Sequence, residues 1–422
     1  MQRGEAVLDA LPAAGFVELQ AREPASRQQP PLCVVDLRVP FHDRVVVRVE
    51  GLVELSSRER VHASMVRPIV LAHGGSRGSA ARGGAPSGRV RGVPRSNELP
   101  TLHKLRDITP VTRFGVGGTD LGIPCRVGDE VLYVFGDTFE GLTIGAGDWR
   151  SPVGLFGNRS GAITRPAGPD PKRARQLLDY RHDTGEFTTI LPTTCIEVDG
   201  ALYLHTMRMQ SLDTVVRTGL YRSDDGARSW REVAQYNAGH ADGCWVMWAL
   251  CPAPDGYTYN LSTGGLTRSN GLRLHRMPTE TLGTLRDGIN VEWEPWGWRE
   301  DTGWQWGNPP TDLALGRGYG ELSLSLVDDT WVMTYFDAAA YRIAARFADS
   351  VDGRWSEPVT LLQGGSWEDE DHAAGRVAQL YGGYLVPGST LSAARVVVSQ
   401  WNTVKNHPYK SMMFTGPLRR PR

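Results

Sequence analysis

Lysine is nearly missing from this 422-residue chain: only Lys104, Lys172, Lys405 and Lys410 stand among its 46 basic residues. Arginine supplies the rest, a bias that fits a GC-rich genome better than any binding surface. The formal net charge is -1, so no global field draws in nucleic acid or an anionic membrane, and neither is expected as a partner. Cysteine is scarce too. Cys33, Cys125, Cys195, Cys244 and Cys251 are odd in number and scattered, which excludes a disulfide framework. They read as free, structural thiols, with Cys244 and Cys251 the one pair that could join. No C-x-x-C or H-x-x-x-H spacing occurs, so no zinc site, other metal or cofactor is expected. No stretch approaches the ~20 consecutive apolar residues that cross a bilayer. The opening MQRGEAVLDALPAAGFVELQ is interrupted by Glu5, Asp9 and Pro12, and reads neither as a secretory leader nor as an anchor.

Long stretches of helical periodicity are also lacking, which argues against an α/β barrel. What is abundant is turn and wedge chemistry: 49 glycines, 27 prolines and 13 tryptophans, the makings of many short strands joined by tight turns. Residues 1–73 carry two strand signals, CVVDLRV and DRVVVRVEGLVEL, and read as a small β unit suited to docking. Residues 74–100, rich in Gly, Ser and Arg, cannot bury a core and read as a linker or arm. From residue 101 to 422 short strands recur, among them EVLYVFGDTF, ALYLHTMRM, TWVMTYFD and YGGYLVPGS. Two segments repeat one pattern: YRSDDGARSWREV (Tyr221–Val233) and FADSVDGRWSEPV (Phe347–Val359). Each reads as strand, Ser-x-Asp-Gly turn, Trp, strand, close to the Asp-box hairpin of sialidase-like propellers. Asp and Gly make the turn and the indole fills the blade. The repeats predict an all-β β-propeller; at roughly 45–65 residues a blade five to seven blades fit, and a five-bladed β-propeller is favoured.

The inner strands of a propeller line its channel, so acids on them meet around one pocket. Asp120 in GTDLG, Asp137 in VFGDTF and Glu321 in GYGELSLSLV are the candidates for catalysis. Each also has a plainer reading, as a turn cap or a strand-edge acid. Trp245, Trp248, Trp293, Trp296, Trp298, Trp304 and Trp306 crowd together, with Asn308, Tyr319 and Trp331 near by. Such rings stack on sugar faces or pack blades. Trp248, Trp306, Asn308 and Tyr319 are taken as substrate-binding candidates, with His205 in YLHTM; His240 in AGHADG is a lesser one. The run SWEDEDHAAGR lacks the spacing of a calcium loop and reads as a solvated acidic loop.

The words GTDLG and VLYVFGDTF, the GYGELSL strand and VSQWNTVKNHPYKSMMF (Val398–Phe414) together resemble the actinobacterial endo-D-arabinofuranase family. Its catalytic domain is a five-bladed propeller that cleaves the D-arabinan of mycobacterial arabinogalactan and lipoarabinomannan. The resemblance spans about residues 101–416 and implies an endo-acting glycoside hydrolase. It implies Asp120 and Asp137 as its acid pair and Glu321 as a weaker third. It also implies Gln400, Trp401, Asn402 and Tyr409 as residues lining or closing the pocket. Glycoside hydrolysis needs one protonated carboxyl group and one ionised one. With no leader read at the start, another vehicle is expected to reach a cell wall. The reading is a bacteriophage tail component, bound to other tail proteins through residues 1–100 and acting at the host envelope. The alternatives are an arabinan-binding receptor-recognition protein that does not cut, and a sialidase-like hydrolase.

Overall fold

The structure is a computed structural model. It describes residues 100–289, 291–401 and 409–421, together with five short strands nearer the start. The chain divides into two units, Met1–Arg95 and Ser96–Arg422. In the first, Val17–Ala21, Cys33–Leu37 and Val45–Val49 form an antiparallel three-stranded sheet, and Glu54–Leu55 pairs with Val61–His62.

The second unit is a five-bladed propeller. Each blade is a sheet, antiparallel except for the parallel last strands Gly288–Ile289 of blade 2 and Arg376–Ala378 of blade 4, that starts at the channel: blade 1 at Gly118–Val127, blade 2 at Thr189–Val198, blade 3 at Met247–Pro252, blade 4 at Tyr319–Val327 and blade 5 at Leu380–Leu385. These inner strands are almost wholly buried, because they are covered by their own blade and by both neighbours. The α-helix Thr279–Thr284 is one short turn after a blade-3 strand. Apolar side chains fill the wedges between blades. Phe135, Phe156 and Leu204 serve blades 1 and 2, Leu261, Leu324 and Met333 serve blades 3 and 4, and Val332, Phe347 and Phe414 serve blades 4 and 5. The described cysteines, Cys125, Cys195, Cys244 and Cys251, are free and buried in this packing.

The ring closes in blade 5. Its outermost strand, His103–Asp107, comes from the start of the domain and pairs antiparallel with the last strand, Tyr409–Gly416, with Thr415 opposite His103 and Met412 opposite Asp107. Closure of this kind joins the first and last blades by main-chain hydrogen bonds.

Both Ser-x-Asp-Gly turns join the third and fourth strands of a blade, in blades 2 and 4. Asp225 caps the first: its Oδ1 accepts the Arg228 and Ser229 N–H groups and its Oδ2 accepts the Ser229 hydroxyl. Burial works against this carboxylate, but those bonds and one from Ser223 outweigh it and bring its pKa down to about 2. In the second turn Asp352 reaches outward instead and accepts the Trp306 indole N–H at 3.0 Å, which ties blade 4 to blade 3.

Candidate active site

A two-residue turn, Gly128–Asp129, joins the first two strands of blade 1, with Val127 opposite Glu130. Thr119 pairs with Thr138, and their hydroxyls lie 2.6 Å apart. The next rung of that ladder would set Asp120 opposite Asp137. There the register breaks: Leu121 pairs with Phe135, and Leu121 and Gly122 take φ of 59° and 78°. Residues opposite each other on antiparallel strands point to the same face, so the break comes where two carboxylates share one. Gly136 makes room. A Cβ there would come within 2.5 Å of Asp120 Oδ1.

Asp120 is 8% exposed. Its Oδ2 accepts the Tyr381 hydroxyl at 2.9 Å, and its Oδ1 is buried with no partner among the described residues. Burial and the negative charge of Asp137 push its pKa up to about 7, against the hydrogen bonding of Tyr409 and Tyr381; Glu321 adds a smaller push. Asp137 is partly exposed. Burial raises its pKa too, and the shift stays upward although hydrogen bonds from Thr189 and Trp149 oppose it. The negative charge of Asp137 is, after burial, the main cause that holds the proton on Asp120, so the two carboxyl groups hold their protons differently. That division suits acid–base work on a glycosidic bond.

Glu321 opens the inner strand of blade 4 and is buried. The Arg268 guanidinium grips it in a fork, with Nη2 donating to Oε1 at 2.7 Å and Nε to Oε2 at 3.3 Å. Arg268 stands in the loop between two blade-3 strands. Burial disfavours its charge, yet Glu321 more than offsets this and raises its pKa. Gly320 permits the approach, since a Cβ there would lie 2.9 Å from Phe336 and 3.1 Å from Arg268. On blade 5, Tyr381 and Tyr384 flank a Gly-Gly bulge. Tyr409, Tyr381 and Tyr384 are all held as neutral phenols by burial and by the nearby carboxylates.

Asp137, Glu321 and Tyr409 thus all lie within electrostatic reach of Asp120. The other binding candidates do not join them, because packing already occupies their side chains. His205 is fully buried, its Nδ1 2.6 Å from Thr193 Oγ1 and its ring 3.8 Å from that of Trp248. Trp248 is sealed among Tyr236, Trp245 and Trp293, leaving no face for a sugar; His240 packs on Tyr236 and Trp245. Trp306 packs on Tyr259, Trp296 and Arg276 in blade 3. Asn308 spends its amide on the Gly297 and Gly303 carbonyls and the Thr302 hydroxyl. The Tyr319 hydroxyl bonds the Leu315 carbonyl. Gln400 is buried and donates to Glu370 and the Ala378 carbonyl. That places Glu370, whose other oxygen is 2.6 Å from His372, in a local network rather than in a free acidic loop. Trp401 is partly buried at the end of its strand, and Asn402 lies outside the described residues.

Tyr381, Tyr384, Arg268, Trp149 and Thr189 are members that the sequence reading missed. The doubled glycine of Tyr-Gly-Gly-Tyr inside a strand pattern is a bulge signal that could have found the first two. Nothing in TGGLTRSNG marks Arg268. Among the described residues no three His, Cys, Asp or Glu side chains converge as metal ligands would.

A candidate hydrolase from Bacteroides ovatus shares the fold, with a TM-score of 0.53 at 12% identity over 73% of this chain and 87% of that one. A GH43_1 enzyme from Xanthomonas citri gives a TM-score of 0.44 at 10% identity over 75% of this chain and 91% of its own. In sequence, an uncharacterized 35.9 kDa protein in the asd 3' region of Mycolicibacterium smegmatis is 30% identical over 333 residues, 74% of this chain and 96% of that protein. Residues 108–415, which hold every side chain of the acidic site, match the domain of unknown function DUF4185, and the chain belongs to that family.

Proposed function

We propose that the propeller is an endo-acting glycoside hydrolase that cleaves the D-arabinan of mycobacterial-type cell walls. One observation carries this reading: two carboxyl groups on adjoining strands of one blade, close enough that burial and the charge of Asp137 push the pKa of Asp120 up to about 7. In this reading Asp120 protonates the glycosidic oxygen as the bond to the anomeric carbon breaks. Asp137 stabilises that carbon as positive charge develops, then delivers it to water, as nucleophile or as base. Glu321, fixed by Arg268, adds a smaller push to the raised pKa of Asp120. The arabinan substrate is supported by the likeness of GTDLG, FGDTF and GYGELSL to arabinan-cleaving propellers, and by a mycobacterial relative at 30% identity.

The same proposal includes the vehicle, a bacteriophage tail in which residues 1–100 dock to other tail proteins. Its support is that the family match begins only at residue 108. A sialidase-like reaction is disfavoured. It needs a tyrosine nucleophile with an acidic partner, an arrangement that Tyr381 and Asp120 share, and also an arginine triad free for a carboxylate, whereas Arg268 is committed to Glu321.

The test is incubation of the protein with mycobacterial arabinogalactan and analysis of released oligosaccharides. The wild type should release them, and Asp120→Asn and Asp137→Asn should lose about 10²-fold or more of the rate. Equal release by all three would remove these acids from the mechanism. Binding without cleavage by the wild type would make the protein a receptor-recognition module.

A further inference from the structure

Asp137 is held differently from Asp120. Its Oδ1 accepts two hydrogen bonds, from Trp149 Nε1 at 2.8 Å and from Thr189 Oγ1 at 2.7 Å. The donors come from two blades: Trp149 from the short strand Trp149–Arg150 of blade 1, and Thr189 from the first position of the inner strand of blade 2. Each is fixed in turn. The Trp149 indole stacks on His182 at 4.0 Å and on Phe139 at 5.9 Å. The Thr189 hydroxyl lies 3.4 Å from the Tyr180 hydroxyl, which itself accepts the Ile190 N–H at 3.0 Å. Since Tyr180 accepts from the main chain, its proton is free for Thr189, and the Thr189 proton is free for Asp137. The chain of donors therefore runs one way, from Ile190 through Tyr180 and Thr189 to the carboxylate, and each link polarises the next. Ser151 is not part of it, because its hydroxyl donates to the Ile190 carbonyl.

We propose that Trp149 and Thr189 are positioning residues that clamp Asp137 through Oδ1 and leave Oδ2 as the oxygen that meets the reacting sugar. Both donors sit on Oδ1, which leaves Oδ2 as the freer oxygen. The clamp also acts on the charge state. Asp120, Asp183, Tyr180 and Tyr409 are acids in electrostatic reach of Asp137. The basic groups on the packed elements are His182, stacked on the Trp149 indole, and Arg150, which is paired with Asp148. The two neutral donors favour the charged form of Asp137 against the burial that raises its pKa.

This inference rests on the reading of Asp137 as the ionised member of the pair, and its test does not need turnover. The full chain, labelled with carboxyl-¹³C aspartate, is titrated by NMR, with the Asp137 signal assigned by its loss in Asp137→Asn. Thr189→Val and Trp149→Phe keep shape and remove one donor each. Each should move the Asp137 midpoint up by about one pH unit, while Thr189→Ser restores it. In the arabinogalactan assay the acid limb of kcat should move with the midpoint, and KM should stay within about twofold. If Trp149→Phe is lost to misfolding, Thr189→Val decides alone. A midpoint unchanged in Thr189→Val, or one that Thr189→Ser fails to restore, would overturn the clamp. A wild type that cleaves nothing but shows the shift would sink the hydrolase reading and leave the clamp standing.

Discussion

Asp120 is protonated in the folded chain to about pH 7, while an aspartate in an unfolded chain ionises near pH 3.9. The folded pKa is the higher one, so the folded state binds the proton more tightly. Stability from this group is full below about pH 4 and falls as pH rises towards 7. Asp120→Asn removes that loss. The variant should gain roughly 2–4 kcal/mol relative to wild type between pH 4.5 and pH 8, read by urea denaturation at both values; no pH-dependent gain would mean that Asp120 is not buried as an acid. The site at this scale was partly legible. The turn Val127–Gly128–Asp129–Glu130 fixes a two-residue hairpin, and counting back from it puts Asp120 opposite Asp137. The tryptophans were not legible in the same way, because crowding in sequence does not say which face of a blade a ring takes. Trp245 and Trp248 went inward to the packing between blades 2 and 3.

Four of the five inner strands lose register near their starts: between Thr119 and Leu121, Pro192 and Thr194, Tyr319 and Leu322, and Gly382 and Tyr384. Blades repeat by rotation about the channel, so these breaks gather at one end of it. An extra residue bends a strand and re-aims the side chains beside it, and that is how Asp120, Glu321 and Tyr381 come to converge. Deleting Gly383 (φ 113°) would restore an even ladder in blade 5. The expected result is a folded ring by circular dichroism in which Tyr381 stays opposite Ser399 but loses the local bend that aims it at Asp120. Its bond to Asp120 is then lost, and arabinogalactan cleavage falls at least tenfold. Retained activity would mean that the bulge does not aim the tyrosine. Strand existence was easy to read, since Glu130–Phe139 and Thr330–Asp337 fall where alternation places them. Bulges were harder, because an inserted residue breaks the period on which the reading depends.

At the scale of the whole molecule the five-bladed ring was legible from its repeats, while the clasp was not. His103–Asp107 has two lysine or arginine residues in five and little apolar alternation, so only its partner strand makes it part of a sheet. Arg106 lies opposite Met413 in that clasp. Arg106→Pro removes a ladder donor and should cost roughly 2–3 kcal/mol, seen as a melting temperature several degrees lower; an unchanged melting temperature would show that the ring does not depend on its last strand.

The antiparallel sense of the clasp has a mechanical consequence. His103 and Thr415 sit at the same end of the ladder, so a pull applied to the chain before residue 103 and after residue 416 would load its hydrogen bonds one at a time rather than all together. The ring would then open like a zip, at low force and from blade 5, while a load carried across the channel between two other blades would meet whole sheets in parallel.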